Sequence, residues 1–384
     1  MFSLTTLLRK QQQQLLLLRQ QQLPLSRRLS FNNHHHNHHD ISFDKVLVAN
    51  RGEIAARIIR TCRRLRIPTV AVYSQEDGPQ ALHATMADEA YWIGDGPTPA
   101  ESYLRQDELL NLATSLLSAG GGGGGEEEEK TVAIHPGYGF LSENAEFCRT
   151  VATTPNLTFV GPGPEAITAM GSKSQSKAIM EQAGVPTIPG FYDDTQQTEE
   201  QLQHEASRIG YPLLIKAVMG GGGKGMRIVE REQDFIESLQ ACRREALHSF
   251  GNDVVLLEKF LVKPRHVEVQ ILADHHGNTI HLHERDCSLQ RRHQKIIEEA
   301  PASDLPLELR QRLTDMGRLA AEAVGYVNAG TVEFLLDTTT KSSSSSSSDG
   351  GGGGGDDFYF CEMNTRLQVE HPITEAITGL DLVE

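Results

Sequence analysis

The sequence has few of the features that mark secreted, membrane-spanning or nucleic-acid-binding proteins. Its 5 cysteines are widely spaced and form no CxxC pair, so we expect neither a disulfide scaffold nor a zinc site, and a reducing compartment is favoured. No apolar run approaches the roughly 18 residues that a transmembrane helix needs, and we expect no membrane partner. The net charge of −15 disfavours nucleic acid as a partner.

Aspartate and glutamate are also missing from the first 39 residues, which are rich in leucine and glutamine. The positive charges of this segment are Arg9, Lys10, Arg19, Arg27 and Arg28. An acid-free amphipathic leader with arginines is typical of an organellar transit peptide, so we predict that residues 1–40 direct the protein to the mitochondrial matrix. A disordered tail rich in glutamine and histidine is the alternative.

The folded part opens with apolar segments of strand length separated by helical spacing. Strands are predicted at residues 46–49, 69–73, 131–134 and 157–160, with a helix at 53–66. Because two strands joined by a helix form a right-handed parallel crossover, residues 41–163 are predicted to be a doubly wound α/β domain. Ligands usually bind at loops that follow the strands of such sheets, and here HPGYGFLSEN follows the third strand.

The rest of the chain changes to an antiparallel pattern. A helical connector is predicted at 164–187, and strands at 213–217 and 226–229 flank a glycine-rich stretch in a small α/β unit. From His266 onward, polar and apolar residues alternate, as in antiparallel strands with one buried face. With a helix predicted at 307–324, the fold class is α/β followed by α+β.

Two low-complexity runs interrupt this pattern. Residues 120–129 join six glycines to four glutamates, and residues 338–357 contain runs of serine and glycine. Neither run has side chains for a core, and a longer loop is tolerated because closure entropy grows only logarithmically with length. We interpret both as solvated insertions, the second in a hairpin between the last two strands.

A third glycine-rich stretch, GGGGKGM at 220–226, differs in its context. It is not a P-loop, because Lys224 is followed by Gly225, Met226 and a predicted strand rather than by Ser or Thr and a helix. A glycine hairpin can fold over a triphosphate with its backbone N–H groups, and Lys216 on the preceding strand can add positive charge there. A flexible turn is the alternative.

Acidic and amide side chains on the last two predicted strands suggest a metal site. Glu362 and Asn364 are two residues apart and point the same way, and Glu333 lies on the neighbouring strand. A carboxylate on an otherwise apolar strand is costly to bury unless it is paired or binds a cation. Such oxygen ligands suit Mg²⁺ or Mn²⁺, and pairing of the two glutamates with arginines is the alternative.

Three further segments offer groups for a substrate. In NTRLQVEHP we predict that Arg366, Gln368 and Glu370 share a face, where the arginine can hold a small planar oxyanion and Glu370 can act as a base. In LEKFL, at 257–261, backbone groups at a hinge can hold adenine. We interpret ERDCSLQRRHQK as a cationic loop that needs an anionic partner, with a solvated basic loop as the alternative. The residues of interest in that loop are Arg285, Gln290, Arg291, Arg292, His293 and Lys295.

Taken in order, these segments resemble the biotin carboxylase component of biotin-dependent carboxylases, a family of ATP-grasp enzymes. The similarity extends from about Asp44 to Glu384 and is carried by ANRGEIA, HPGYGFLSEN, GGGGKGM, PRHVEVQ, ERDCSLQRRHQK and EMNTRLQVEHP. Within the family, MADEAYWIG, RREALHSF and HQKIIEEAP are most similar to the α subunits of mitochondrial methylcrotonoyl-CoA carboxylases of leucine breakdown.

The resemblance implies a division into domains. Residues 41–163 correspond to the N-terminal biotin carboxylase domain, which precedes the ATP-grasp domain in the family. Residues 164–187 are the connector, 188–260 the ATP-grasp lid subdomain, and 261–384 an incomplete C-terminal lobe.

The resemblance also implies site residues. The ATP site of the family matches Lys173, Lys216, Gly222, Gly223, Glu258, Lys259, Leu261, His266, Gln290, His293, Glu333 and Glu362. The ligands of its two Mg²⁺ or Mn²⁺ ions match Glu333, Glu362 and Asn364. Its bicarbonate site matches Lys295, Arg366, Gln368, Val369 and Glu370, of which Arg366, Glu370 and Lys295 are the implied catalytic residues. Tyr138 falls where the family approaches biotin.

In the implied mechanism, Glu370 deprotonates bicarbonate, which attacks the γ-phosphate of ATP. The resulting carboxyphosphate gives CO₂ and phosphate, the phosphate takes the N1′ proton of biotin, and biotin captures the CO₂. The metal ions and Lys216 offset charge during phosphoryl transfer, and Arg366 orients the anion.

The implied partners are a biotin carrier domain, a carboxyltransferase subunit and bicarbonate, with a homodimer through the missing C-terminal lobe. The chain ends at TGLDLVE, where the family continues, and has no Ala-Met-Lys-Met sequence. We therefore expect a fragment or a truncated product that does not carry its own biotin. Met219 also replaces a usual glycine. The alternatives are a propionyl-CoA or other acyl-CoA carboxylase subunit, another ATP-grasp ligase such as carbamoyl-phosphate synthase, and an inactive nucleotide-binding fragment.

Overall fold

The structure is a computed structural model. It describes residues 43–94, 96–118, 130–195, 197–218, 225–291, 294–338 and 358–384. The predicted leader, the insertion at 120–129 and all but the first residue of the insertion at 338–357 lie outside these ranges, as do Gly222, Gly223 and His293.

A parallel sheet forms the first part of the described chain. Its strands, in the order β3-β2-β1-β4-β5, are β1 Lys45–Val48, β2 Thr69–Tyr73, β3 Glu89–Trp92, β4 Val132–His135 and β5 Leu157–Phe159. The helices between them are α1 Gly52–Leu65, α2 Leu82–Met86, α3 Gln106–Ser118 and α4 Ala145–Thr153. The predicted doubly wound domain is confirmed, because β1 lies at the centre and the chain winds outward from it on both sides.

The short helix α2 and the edge strand β3 were not predicted from the sequence. Strand β3 pairs only with β2 among the described strands, and three of its four residues are exposed. Because an exposed edge strand carries no regular apolar alternation, the sequence pattern gives little sign of it.

The predicted connector consists of two helices, α5 Pro164–Gly171 and α6 Lys173–Gln182. Ser172 separates them, because its hydroxyl accepts a hydrogen bond from the backbone N–H of Gln175 at 3.2 Å and so caps α6. This cap places Lys173 in the first turn of α6 and Lys177 one turn later.

A four-stranded antiparallel sheet follows in the described residues, in the order β6-β9-β7-β8. Its strands are β6 Gly190–Phe191, β7 Leu213–Ala217, β8 Met226–Val229 and β9 Val255–Lys259. Helices α7 Glu199–Ile209 and α8 Phe235–Phe250 cover it, and their apolar side chains form one core with the sheet. Lys216 pairs with Met226 across β7 and β8, which confirms that the glycine-rich stretch joins an antiparallel pair.

A larger antiparallel sheet carries the last part of the chain, in the order β12-β11-β10-β13-β14. Its strands are β10 Pro264–Ala273, β11 Thr279–Arg291, β12 Gln294–Glu299, β13 Asn328–Asp337 and β14 Phe358–Asn364. Helix α9 Leu307–Ala323 packs on one face so closely that a Cβ on Gly317 would lie 2.9 Å from Val269. Helix α10 His371–Thr378 is the last described element. Because α9 takes the apolar face, the polar residues of the alternating strands point to the other face.

In this sheet, the prediction of a cationic loop is wrong. ERDCSLQRRHQK is not a basic loop, because β11 continues to Arg291 and returns as β12 from Gln294. The cross-strand pairs Leu289–Ile297 and Gln290–Lys295 join the two strands. The concentration of charge suggested a loop, whereas pairing with β10 stabilises β11 as a strand.

Among the described helices, none combines the length and the apolar composition needed to span a membrane.

Candidate functional site

A row of charged side chains crosses four neighbouring strands of the larger sheet. Arg285 on β11 pairs with Glu268 on β10, Glu268 with Glu333 on β13, and Glu333 with Glu362 on β14. The first three residues of the row are buried and Glu362 is exposed at the open end. Three carboxylates side by side repel one another unless cations neutralise them, so the row requires positive charge.

The ammonium of Lys295, on β12, supplies part of that charge. Its Nζ lies 2.5 Å from Oε2 of Glu268, 2.7 Å from Oε1 of Glu333 and 2.7 Å from Oε1 of Glu370. Burial alone would lower the pKa of Lys295, but the three carboxylates more than offset it and raise the pKa above its ordinary value. Lys295 therefore stays charged and brings Glu370 to the carboxylate row.

Glu333 is the most heavily bonded carboxylate of the row. Its Oε1 also accepts hydrogen bonds from Asn364 at 2.7 Å and Gln368 at 3.1 Å, and its Oε2 lies 2.7 Å from Nε2 of His266. Burial raises the pKa of Glu333, yet His266 and Lys295 outweigh burial and hold it below the ordinary range. The other ring nitrogen of His266, Nδ1, is 2.7 Å from Nε2 of Gln290. The structure therefore brings the predicted site residues His266 and Gln290 together beside Glu333.

Glu362 has the opposite electrostatics. Protein surrounds its carboxylate on most sides although the side chain reaches solvent, and this partial desolvation, followed by the negative charge of Glu333, raises its pKa. A cation between Glu333 and Glu362 would relieve that repulsion. Asn364 adds an amide oxygen, which here accepts a hydrogen bond from Arg366 at 2.9 Å. The donor set of two carboxylates and an amide oxygen fits a hard divalent cation.

Glu268 was not among the predicted site residues. In the described chain, it belongs to both groups of side chains that are close enough to share a cation, His266–Glu268–Glu333 and Glu268–Cys287–Glu370. Burial raises the pKa of the Cys287 thiol well above its ordinary value, so the thiol stays protonated and is a poor cation ligand. The group with His266 is therefore the better candidate for a cation. The sequence signal for Glu268 was its position two residues after His266 on an alternating strand, which places both side chains on one face.

Arg285 holds the inner end of the row and is fully buried, at 0 % exposure. Its guanidinium donates to Glu268 at 2.5 Å, Gln270 at 2.7 Å, Gln368 at 2.8 Å and Thr374 at 2.9 Å. It thereby ties strand β10, the turn before α10 and α10 itself to one group. The sequence had marked Arg285 only as one cation of a basic segment.

The turn after β14 differs from its prediction. Arg366, Gln368 and Glu370 do not share a strand face, because β14 ends at Asn364 and the chain turns into α10. A turn is required there because Pro372 at the start of α10 cannot continue a strand ladder. The turn still points Gln368 inward to Glu333 and Glu370 to Lys295, and it leaves Val369 exposed.

Arg366 contacts the first domain. Its Nε donates to Oε2 of Glu143 at 3.0 Å, and Oε1 of Glu143 accepts the backbone N–H of Thr365 at 3.3 Å. Glu143 belongs to HPGYGFLSEN, which was noted for its position but not for this residue. In the same motif Tyr138 hydrogen-bonds Glu53, and burial followed by that carboxylate raises the pKa of the phenol.

A second charged cluster lies on the smaller sheet. Lys216 on β7 pairs with Oε2 of Glu258 on β9, and the Nζ of Lys177 lies 3.6 Å from Oε1 of Glu258. Lys173 donates to the carbonyl of Val218 at 3.1 Å. Burial would raise the pKa of Glu258, but the two lysines more than offset it and lower the pKa to about 2. Lys177 was missed by the sequence analysis because a lysine on a helix usually faces solvent.

Two predicted residues lie apart from this cluster. The ammonium of Lys259 contacts the carbonyl of Tyr211 at 3.4 Å, on the side of β9 opposite to Glu258. Leu261 follows β9 and is partly exposed in the link to β10. The backbone N–H of Lys259 donates to the carbonyl of Pro189 at 2.8 Å.

Two family models match consecutive parts of the chain. Residues 42–167 match the family described as biotin carboxylase, N-terminal domain, and residues 172–384 match the family described as carbamoyl-phosphate synthase L chain, ATP binding domain. The first domain and the ATP-binding domain thus define the chain as an ATP-grasp protein, as the sequence predicted.

Similar proteins narrow the class. The chain is 47% identical over 343 residues to a biotin carboxylase of Nostoc sp., which covers 89% of this chain and 69% of that protein. It is 54% identical over 340 residues to the mitochondrial methylcrotonoyl-CoA carboxylase subunit alpha of Dictyostelium discoideum, which covers 88% of this chain and 44% of that protein. The chain belongs to the biotin carboxylase family.

A solved structure has the same fold. The biotin carboxylase domain dimer of the Hydrogenobacter thermophilus 2-oxoglutarate carboxylase, in complex with MgADP, ADP and bicarbonate, matches with a TM-score of 0.75 and 44% identity. The match covers 89% of this chain and 68% of that chain. The chain spans less than half the length of the methylcrotonoyl-CoA carboxylase relative.

Proposed function

We propose that the chain catalyses the ATP- and bicarbonate-dependent carboxylation of biotin on a carrier domain, the first half-reaction of an acyl-CoA carboxylase. The observation that carries this proposal is the ammonium of Lys295, which joins Glu370 to Glu268 and Glu333. This junction places a base and an anion-binding cation beside the carboxylates that suit a metal–nucleotide complex. Family membership supports the same reaction.

The smaller sheet and its neighbours would bind ATP. Lys216 and Lys173 supply positive charge beside the glycine-rich hairpin, and the segment after Glu258, with Lys259 and Leu261, offers backbone groups to adenine. Gly222, Gly223 and His293, which belong to the same proposed site, lie outside the described residues. His266 and Gln290 extend the site to the larger sheet through their mutual contact.

Glu333, Glu362 and Asn364 would hold the divalent cations, two Mg²⁺ or Mn²⁺ ions by the family pattern. Bound there, the ions would neutralise phosphate charge during phosphoryl transfer. The electrostatics of the two glutamates support this assignment. Neighbouring cations lower the pKa of Glu333, whereas desolvation and the charge of Glu333 raise the pKa of Glu362. The complex of the Hydrogenobacter thermophilus domain with MgADP supports Mg²⁺ in particular.

Bicarbonate would bind beside Lys295 and Arg366, with Gln368 and Val369 shaping the turn. Burial raises the pKa of Glu370, but Lys295 more than offsets it and holds the pKa below the ordinary value. Glu370 is therefore ionised at neutral pH and able to accept the proton of bicarbonate, whose oxygen then attacks the γ-phosphate of ATP and displaces ADP. Arg366, on the turn, orients the anion.

Biotin would approach beside Tyr138, carried by a domain of another chain or of a further part of this protein. The remaining proposed partners are a carboxyltransferase subunit and a second copy of the chain. A dimer is supported by the Hydrogenobacter thermophilus domain dimer. The mitochondrial names of the relatives support the mitochondrial matrix, and the Dictyostelium discoideum relative supports methylcrotonoyl-CoA as the final acceptor.

The test is bicarbonate-dependent ATP cleavage, measured with and without free biotin. It is made on the chain and on a hybrid that adds the C-terminal segment of the Nostoc sp. biotin carboxylase after Glu384. We expect biotin to stimulate cleavage in the hybrid, and Glu370→Gln to abolish the stimulation. Stimulation by ammonia instead of biotin would contradict the proposal and favour a carbamoyl-phosphate synthase reaction.

A further inference from the structure

A buried lysine that no sequence motif singled out lies behind the proposed ATP site. Lys177, on α6, has a side chain that is only 4% exposed. Its ammonium donates to the carbonyl oxygen of Phe360 at 2.6 Å. The same ammonium lies 5.6 Å from the ring centroid of Tyr192 and 5.4 Å from that of Phe360. These contacts hold Lys177 in place without any substrate.

Lys177 faces Glu258, whose carboxylate has a different cation at each oxygen. Oε1 of Glu258 lies 3.6 Å from the ammonium of Lys177 and accepts a hydrogen bond from the hydroxyl of Tyr192 at 3.3 Å. Oε2 of Glu258 pairs with Lys216. One buried negative charge is therefore shared by two lysines.

The two lysines differ in what else they can reach. Lys216 is 17% exposed and precedes the glycine-rich hairpin. Burial would lower its pKa, but Glu258 and, more weakly, Glu362 raise the pKa above its ordinary value. Lys177 is enclosed by α6, β14 and the segment that carries Tyr192. Lys216 thus lies on the more exposed side of Glu258, where a nucleotide would bind, and Lys177 lies on the interior side.

We propose that Lys177 is a positioning residue that keeps Glu258 neutralised while Lys216 moves from Glu258 to the nucleotide phosphates. This inference rests on the proposed ATP-binding function. A buried carboxylate that loses its only cation is strongly destabilised. Because Lys177 remains beside Glu258, the transfer of Lys216 leaves no unpaired buried charge. Nucleotide binding then gains the Lys216–phosphate contact at a lower cost.

The test compares Lys177→Met in two backgrounds, the wild-type chain and Glu258→Gln, with MgADP as the probe in isothermal titration calorimetry. In the wild-type background, we expect Lys177→Met to weaken MgADP binding about tenfold, because Lys216 then becomes the only described residue that forms an ion pair with Glu258. In the Glu258→Gln background, we expect the same substitution to change the affinity less than about twofold, because no buried carboxylate remains to be neutralised.

Two controls separate this role from packing. Lys263→Met removes an exposed lysine and should leave MgADP affinity unchanged. Adenosine has no phosphate to attract Lys216, so its binding should not respond to Lys177→Met. If Lys177→Met alone fails to fold by circular dichroism, the comparison of Glu258→Gln with Glu258→Gln/Lys177→Met still tests the proposal, since the two should bind MgADP alike.

Two results would overturn the inference and leave the proposed function intact. One is an unchanged MgADP affinity in Lys177→Met, and the other is an equal loss in both backgrounds, which indicates a packing role. A wild-type chain that binds no MgADP would instead refute the proposed function, and the inference would fall with it.

Discussion

Glu333 and Glu362 lie directly opposite each other on β13 and β14, at the open end of a row of buried charges. The two carboxylates differ in their surroundings, since His266 and Lys295 contact Glu333 whereas the side chain of Glu362 is exposed. The pair therefore has one neutralised member, Glu333, and one member, Glu362, whose pKa is raised by partial desolvation of its carboxylate and by the charge of Glu333. This asymmetry leaves Glu362 as the carboxylate with most to gain from a bound cation.

Replacement of Glu362 by glutamine should weaken metal-dependent nucleotide binding. Because the amide removes one of two carboxylate ligands, we expect the Mg²⁺ concentration for half-maximal ADP binding to rise about tenfold. Titration of Mg²⁺ at fixed ADP measures the effect. Glu108→Gln, at an exposed surface pair, is the matched control, and an unchanged Mg²⁺ dependence in Glu362→Gln would exclude Glu362 as a ligand.

Replacement of Lys295 by methionine should destabilise the fold as well as abolish bicarbonate-dependent turnover. Three carboxylates lose their shared cation, and an uncompensated buried charge costs about 3 kcal/mol. Urea unfolding measures the loss, and Lys45→Met, at a surface pair, should cost less than about 1 kcal/mol. Addition of Glu268→Gln should restore part of the stability but no turnover. A Lys295→Met chain as stable as wild type would contradict the neutralising role of Lys295.

Replacement of Arg285 by methionine should have a larger effect on stability than any surface arginine. The buried guanidinium neutralises Glu268 and also bonds Gln270, Gln368 and Thr374. We expect a loss of about 3 to 5 kcal/mol in the free energy of unfolding. Arg318→Met, at an exposed pair with Glu322, should change it by less than about 0.5 kcal/mol. Similar losses of stability in the two variants would show that the buried contacts of Arg285 do not stabilise the fold.

Acidification should destabilise the first domain through His135. Its Nδ1 accepts the backbone N–H of Gly137 at 3.1 Å, and burial lowers the pKa of the imidazole to about 4. Between that value and the unfolded pKa of about 6.5, the unfolded chain binds more protons, so stability falls as the pH decreases. The expected loss from pH 7 to pH 5 is about 1 to 2 kcal/mol.

The variant His135→Asn isolates this effect from the other histidines. Urea unfolding at pH 7 and pH 5 should show a smaller pH-dependent loss in His135→Asn than in the wild-type chain. His248→Asn, at an exposed position on α8, should retain the full wild-type loss. An identical pH dependence in His135→Asn and the wild-type chain would mean that His135 does not titrate in this window.

Much of the fold could be predicted from local pattern. The strands at 69–73, 213–217 and 226–229 have the bounds that their apolar runs indicate. Alternation on the last two strands predicted that Glu362 and Asn364 share a face and that Glu333 lies on the neighbouring strand. The strand register of the structure sets Glu333 opposite Glu362. These predictions succeed because burial of apolar side chains imposes the period of each element along the chain.

Edge elements and turns escaped the same reasoning. Strand β3 and the hairpin of β11 and β12 depend on pairing with strands elsewhere in the chain, and β12 shows four exposed residues of six. The turn from Arg366 to Glu370 likewise follows from the start of α10 rather than from any alternation within it. The local sequence of an edge strand or a turn does not indicate which distant segment it will contact.

The amino-acid sequence by itself determined the class of fold, the order of its domains and the residue types available for phosphate, metal and bicarbonate. Only the tertiary structure decided which buried charges meet. Lys177 reaches Glu258 from a separate helix, and Lys295 reaches Glu268 and Glu370 across three elements. The physical reason is that a buried ion pair depends on strand register and helix packing between distant segments. Amphipathic periodicity, in contrast, depends only on residues that are close together in the sequence.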